Sequence, residues 1–232
     1  MTILSSKTKG KSHGAALAIW MMLLPLGCAP VRGALTESKA LSSPIQTIVV
    51  VGFRAPVPPG QSPGMVLNPF GGAFHHAEPV SQEVADRLTA GLFGKLIARG
   101  GYRLISPGEA RTHAMDLGFP SPAVGTLEMF QKLGQSLTAD GVVAGNIYRW
   151  RERKGVDYGV DVPASVEFDL YLLRVEDKTV IWKGRFDKTQ QSLAENVLDF
   201  QTFLKAGGRW VSAHELAVMG LDHLIMTFPE AK

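Results

Sequence analysis

Apolar residues run unbroken from Ile48 to Val51 in PIQTIVVVGF, residues 44–53, recur every fourth position from Val80 to Leu96, and alternate singly from Val166 to Leu172. Each period predicts a different element. The unbroken run fits a strand covered on both faces. Val80, Val84, Leu88, Leu92 and Leu96, widened by Phe93 and Ile97, are the core stripe of a helix that ends at Gly100-Gly101. In ASVEFDLYLLRV, Val166, Phe168, Leu170 and Leu172 fall on one face and Glu167, Asp169, Tyr171 and Leu173 on the other. VIWKGRF alternates in the same way through Val180, Trp182, Gly184 and Phe186, so the two runs joined by EDKT predict an antiparallel hairpin with one covered and one partly wet face.

Shorter signals fill the intervals. YRLISPGEA reads as a brief strand closed at Pro107-Gly108, and TLEMFQKLGQSLTAD as a helix buried through Leu127, Phe130, Leu133 or Gly134, and Leu137. Asp140-Gly141 then turns the chain into the strand VVAGNIYRW. Residues 54–79, opening with RAPVPPGQSPGMVLNPFGG, read as a Pro/Gly-rich loop, and a structureless loop of that length generally has a role. Near the end, Ser212 and Glu215 have capping-box spacing before a helix buried through Leu216, Leu221, Leu224, Ile225 and Phe228, with Pro229 at its exit. Between them, residues 188–210 carry Leu193, Val197, Leu198, Phe200, Phe203 and Leu204, which either pack back on the domain or offer a surface to a partner or sister subunit. The order β, long loop, α, β, α, β, β, β, linker, α predicts one small α/β domain with a mixed sheet over residues 44–232, including a helical extension at 188–232.

That order, together with IVVVGF, VADRLTAGLFGKLIARGGYRLI, LGQSLTADGVVAGNIYRW and VEFDLYLLRVEDKTVIWKGRFDKT, resembles periplasmic lipoprotein domains related to the TolB amino-terminal domain and to CsgG. The similarity covers roughly residues 44–187. It identifies Phe53 with the phenylalanine that ends the group's first strand, Gly134 to Gly145 with its helix-to-strand segment, and Trp182 with its hairpin tryptophan. The resemblance implies a role in secretion or export assemblies, including PelC-like rings, or in activating peptidoglycan synthases. An evident pair of amphipathic membrane-spanning hairpins, as in the curli channel, is missing from the sequence.

The amino terminus changes the compartment and the charge. Lys7, Lys9 and Lys11 precede AALAIWMMLLPL, a positive region followed by 12 apolar residues. As a helix that stretch would rise roughly 18 Å, short of the roughly 20 residues that span a bilayer. Gly27-Cys28-Ala29 follows, with the chain's single cysteine. Residues 1–27 are similar to a lipoprotein signal peptide, which implies acylation of Cys28 and a lipid-anchored tether over 28–43. The alternatives are an ordinary secretory signal that leaves a free thiol, or a buried core cysteine. Pro25 stands where such signals usually carry leucine, with Leu24 one place further back. Resemblance to lipoproteins also implies that Ala29 directs the molecule to the outer membrane, facing the periplasm. Processing before Cys28 would leave 205 residues with 21 basic and 21 acidic side chains, so the precursor's +3 charge gives no argument for nucleic acid.

Candidate chemistry is sparse. His75, His76 and Glu78 in HHAEP could be offered to a metal, but adjacent strand residues point apart, and the run reads better as a polar loop. His113, His214 and His223 are isolated, RWRERKG at 149–155 reads as a solvated strand end, and GGRW at 207–210 as a turn with a packed tryptophan. No nucleophile elbow, zinc-protease, paired-cysteine or P-loop pattern occurs. The expectation is therefore no catalytic residue, metal or cofactor, one lipidation site at Cys28, and partners in an envelope complex or in self-association. The alternatives are a synthase activator and a periplasmic metal-dependent enzyme. Intact mass of the membrane form tests the anchor: the mature chain should begin at Cys28 and carry acyl groups, a Cys28→Ser variant should carry none, and an unacylated wild-type terminus would refute the assignment.

Overall fold

The computed structural model describes residues 34–38, 44–119, 127–156, 159–190 and 210–231. Cys28, the signal region and residues 191–209 lie outside them. Ten strands and four helices follow in order: β1 (Ala34–Ser38), β2 (Thr47–Arg54), β3 (Gly64–Leu67), β4 (Phe74–Ala77), α1 (Gln82–Arg99), β5 (Arg103–Ile105), α2 (Pro107–Asp116), α3 (Leu127–Ser136), β6 (Gly141–Arg151), β7 (Lys154–Val156), β8 (Gly159–Val162), β9 (Ser165–Arg174), β10 (Val180–Thr189) and α4 (Ala213–Thr227). Six strands form a mixed sheet in the order β1-β10-β9-β6-β2-β5. β2 is parallel to both β5 and β6, whereas the β6, β9, β10 and β1 pairings are antiparallel.

β5 and β6 lie on opposite sides of β2, so the two crossovers run in opposite directions across the sheet. A common handedness then puts their helices on opposite faces. α1, with α4, covers a core containing Ile48, Val50, Val143, Phe168, Leu170 and Trp182. α2 and α3 cover Val49, Ile105, Val142, Ala144 and Leu173 on the other. The helix-stripe reading holds for Leu88, Leu92 and Leu96, which are buried, but Ile97 is exposed. Gly100 ends α1 at φ 71°, and the capping box of Ser212 and Glu215 opens α4. Trp182 is fully buried and meets Phe228 of α4 edge-on at 4.9 Å.

A bulge near the end of β2 shifts its alternation. Val50 pairs with Val143 and Gly52 with Ala144, so Val51 is the extra residue. Phe53 consequently faces the α1 core, where it meets Phe168 edge-on at 5.4 Å. The Phe53 amide donates to Thr89 Oγ1 of α1 at 2.8 Å. Gly52 has φ 87°, and a Cβ there would lie 2.2 Å from the Thr89 methyl, so both conformation and space require glycine.

Four expectations need correcting. Residues 34–38, placed in the tether, pair with β10 as an edge strand because the β10 edge is open to receive one. The run after Ile105 does not stop at Pro107: Ser106 caps the Glu109 amide and Pro107 occupies the first turn of α2, where its missing N–H costs nothing. Residues 54–79 are not a loop throughout, since β3 and β4 pair within them. Finally, every residue of β9 is buried, so neither of its faces is wet.

The Thr89 contact is testable. Thr89→Val keeps the shape but leaves the buried Phe53 amide without its acceptor, and should lower unfolding free energy in urea by about 1–3 kcal/mol.

Candidate functional site

The second face of β6 and β9 carries Asn146, Tyr148, Glu167, Asp169 and Tyr171, a polar set that must find partners once covered. The cover is the β3–β4 hairpin. Leu67 pairs with Phe74 across a turn in which Asn68 accepts from the Gly72 amide and donates to the Ala73 carbonyl, both at 2.9 Å. Asn68 Oδ1 accepts from the Phe70 amide at 2.8 Å and the Gly71 amide at 3.3 Å. The same side chain turns its Nδ2 inward, 2.6 Å from Asp169 Oδ2 and 2.6 Å from the Tyr171 hydroxyl. It therefore shapes the turn and fastens it to the sheet.

Asp169 is the hub. Its Oδ2 also accepts from the Tyr148 hydroxyl at 2.6 Å and the Tyr171 hydroxyl at 2.9 Å. Its Oδ1 accepts from the backbone amide and the Nδ2 of Asn146, both at 3.0 Å. Asn146 Oδ1 in turn accepts from Arg54 Nε at 2.5 Å. Burial pushes the Asp169 carboxyl above the usual carboxylate range, while the tyrosine and asparagine donors pull it part of the way back. Burial, then the charge of Asp169, holds both phenols above the usual tyrosine range and keeps them as donors.

A second group of contacts secures the hairpin's other strand. His75 stacks on Tyr148 at 4.2 Å with the rings 6° apart, and its Nδ1 lies 3.6 Å from Glu167. Glu167 pairs with Arg149 at 2.9 Å and Arg185 at 2.6 Å, and both guanidinium groups also pair with Asp187. Arg149 is thus part of a network, not of a solvated strand end. The Glu78 amide donates to the Tyr148 carbonyl at 2.7 Å, while its carboxylate pairs with Arg151.

Alternation leaves the opposite side of the hairpin outside. Met65 is 62 % exposed, Leu67 55 % and Phe74 66 %, with His76 beside them across from Met65. A flexible loop could turn three such side chains inward, but this hairpin holds them out. The structure therefore separates the metal candidates: His75 faces Glu167, His76 faces outward, and Glu78 engages Arg151. Among the described residues, no group of three His, Cys, Asp or Glu side chains is placed to hold a metal. His223 is exposed, and His113 and His214 are half-buried in separate helices.

The sequence reading missed Asn68, Asn146, Tyr148, Asp169 and Tyr171 as a unit. GMVL and FHHA flank NPFGGA, so a hairpin signal was present, but the surrounding prolines obscured it.

No family model and no curated protein sequence matches this chain. Several solved structures are similar at low identity. The PelC dodecamer from Paraburkholderia phytofirmans is 12% identical, with 86% of this chain and 98% of that chain covered and a TM-score of 0.48. The LpoB C-terminal domain from Escherichia coli is 17% identical over 65% of this chain and 88% of that one, with a TM-score of 0.40. Lipoprotein GNA1162 from Neisseria meningitidis is 14% identical over 69% and 91%, with a TM-score of 0.41. At such TM-scores these likenesses do not bear on what the chain does.

The hub predicts a pH signature. A carboxyl raised by folding contributes stability that is fully present below its unfolded pKa, near 4, and is lost as pH rises through its folded value. The stability difference between wild type and Asp169→Asn, measured by urea unfolding across a pH series, should therefore shift against the wild type as pH rises from about 4.

Proposed function

We propose that this chain is a non-enzymatic envelope lipoprotein, anchored in the outer membrane through Cys28, that supports assembly of a secretion or export complex by protein contact. The observation that carries this reading is the outward face of the β3–β4 hairpin. Exposed apolar residues are ordinary when scattered, but Met65, Leu67 and Phe74 are gathered on one small surface whose backbone is held by buried contacts at Asn68 and His75. Holding them in place lowers the ordering cost of association, and large apolar side chains of this kind serve as interface anchors. A lipid anchor would add to this by confining the domain to a thin layer at the membrane, which raises its local concentration for partners there.

The test removes the apolar face without touching the contacts beneath it. In envelope complexes extracted with mild detergent and sized by native mass measurement, Met65→Ser, Leu67→Ser and Phe74→Ser combined should weaken association by on the order of 100-fold. The urea midpoint of the triple variant should stay at the wild-type value. An unchanged mass and partner set would show that the hairpin is not the contact.

A further inference from the structure

The bulge in β2 and the divergence of its neighbours leave a crevice of about 230 Å³ where β2 and β5 end. Helices α1 and α2, which cover opposite faces of the sheet, both reach it, so it lies where an open α/β sheet changes winding direction. Such a crevice at the carboxyl ends of parallel strands is the general place for ligands in this architecture. It is a different surface from the outward face of the hairpin, and nothing below depends on that face being a contact.

Its lining divides into two parts. Gly52 and Gly145 lie along one side, where the lack of side chains keeps the space open. Phe70 and Phe130 form an aromatic wall, stacked on each other at 5.3 Å, and Phe70 also stacks on Tyr171 at 4.7 Å. The polar part consists of Arg54, Arg111, Asp86 and Gln82. At the rim, Asp86 Oδ1 accepts from Arg111 at 3.2 Å and from Gln82 at 3.0 Å. Further in, Arg54 is half-buried and donates through Nε to Asn146.

Charge and size restrict the occupant. The lining carries two guanidinium groups and one carboxylate, and Asp169, the other acid near Arg54, sits behind Asn146 and does not line the space. Burial works against the Arg54 cation, an effect that an anion in the crevice would offset. A guanidinium presents a planar fork suited to a carboxylate. The volume is below the roughly 300–1,000 Å³ of drug-sized sites, which limits the occupant to about one ring and one small charged group.

We propose that this crevice is a binding site for a small aryl or similarly apolar monocarboxylate, its carboxylate held between Arg54 and Arg111 and its ring against Phe70 and Phe130. The surplus of one positive charge selects a monoanion, and the aromatic wall selects against a bare one such as acetate. Because Phe70 belongs to the hairpin turn, the occupant also touches the segment that Asn68 fastens to the sheet.

Phenylacetate is a suitable probe, with phenylacetamide and acetate as controls that remove the charge or the ring. Titrated into the full chain and followed by amide chemical shifts, phenylacetate should saturate with a Kd of about 1 mM. The perturbed signals should centre on Gly52, Arg54, Phe70 and Gly145. Both controls should bind at least about 10-fold more weakly. Arg111→Gln, at an exposed position, should weaken phenylacetate by about 3- to 10-fold with the urea midpoint unchanged. Arg54→Gln should weaken it further, and the Arg111 variant keeps the test decisive if Arg54→Gln does not fold. Absence of saturable shifts, equal binding of phenylacetamide, or insensitivity to Arg111→Gln would each overturn the proposal.

Discussion

A carboxylate inside a protein must be surrounded by donors or give up its charge, and one whole face of this sheet is arranged around meeting that demand for Asp169. The donors come from three places far apart in sequence: Asn146 and Tyr148 on β6, Tyr171 on β9 itself, and Asn68 from the hairpin turn. Removing the hairpin would expose the hub and undo the Asn68 contacts. Removing the hub would leave the hairpin with His75 and the Glu78 amide as its main polar holds. The two are mutually dependent, which is how a Pro/Gly-rich segment acquires a fixed position.

The opposite face is built on different physics. There α1 and α4 bury aliphatic and aromatic side chains, and the main polar adjustment is the Thr89 hydroxyl that accepts the Phe53 amide where β2 bulges. That bulge serves both sides of the sheet. It turns Phe53 into the apolar core, and it contributes to the crevice between α1 and α2 on the other side. A packed helical face thus backs a face that carries the polar hub, the hairpin and the crevice.

Legibility in the sequence followed the range of the interactions. Helices α1, α3 and α4 and the β9–β10 hairpin were readable because their periodicity and caps are local, and the Ile48–Val51 run correctly announced a strand covered on both faces. Helix α2 was also announced, by Ser106-Pro107 and Glu109, yet its first turn was taken as a stop because Pro and Gly both occur there. The alternation in β9 was correct as geometry but not as environment. Glu167, Asp169 and Tyr171 do share a face, and that face is buried under residues more than 90 positions away from it in sequence.

The sequence by itself determined the class of fold, the mixed sheet, the positions of most caps, the opposite orientation of His75 and His76, and the absence of a familiar catalytic motif. These depend on spacing within a few residues, where backbone geometry fixes which side chains share a face. The tertiary structure decided that residues 64–77 form a hairpin held against the sheet, that Asn68, Asn146, Tyr148, Asp169 and Tyr171 form one network, and that Met65, Leu67 and Phe74 remain outside. Those outcomes depend on which surface covers which, because a buried polar group finds its partner by proximity in space and leaves no fixed spacing along the chain.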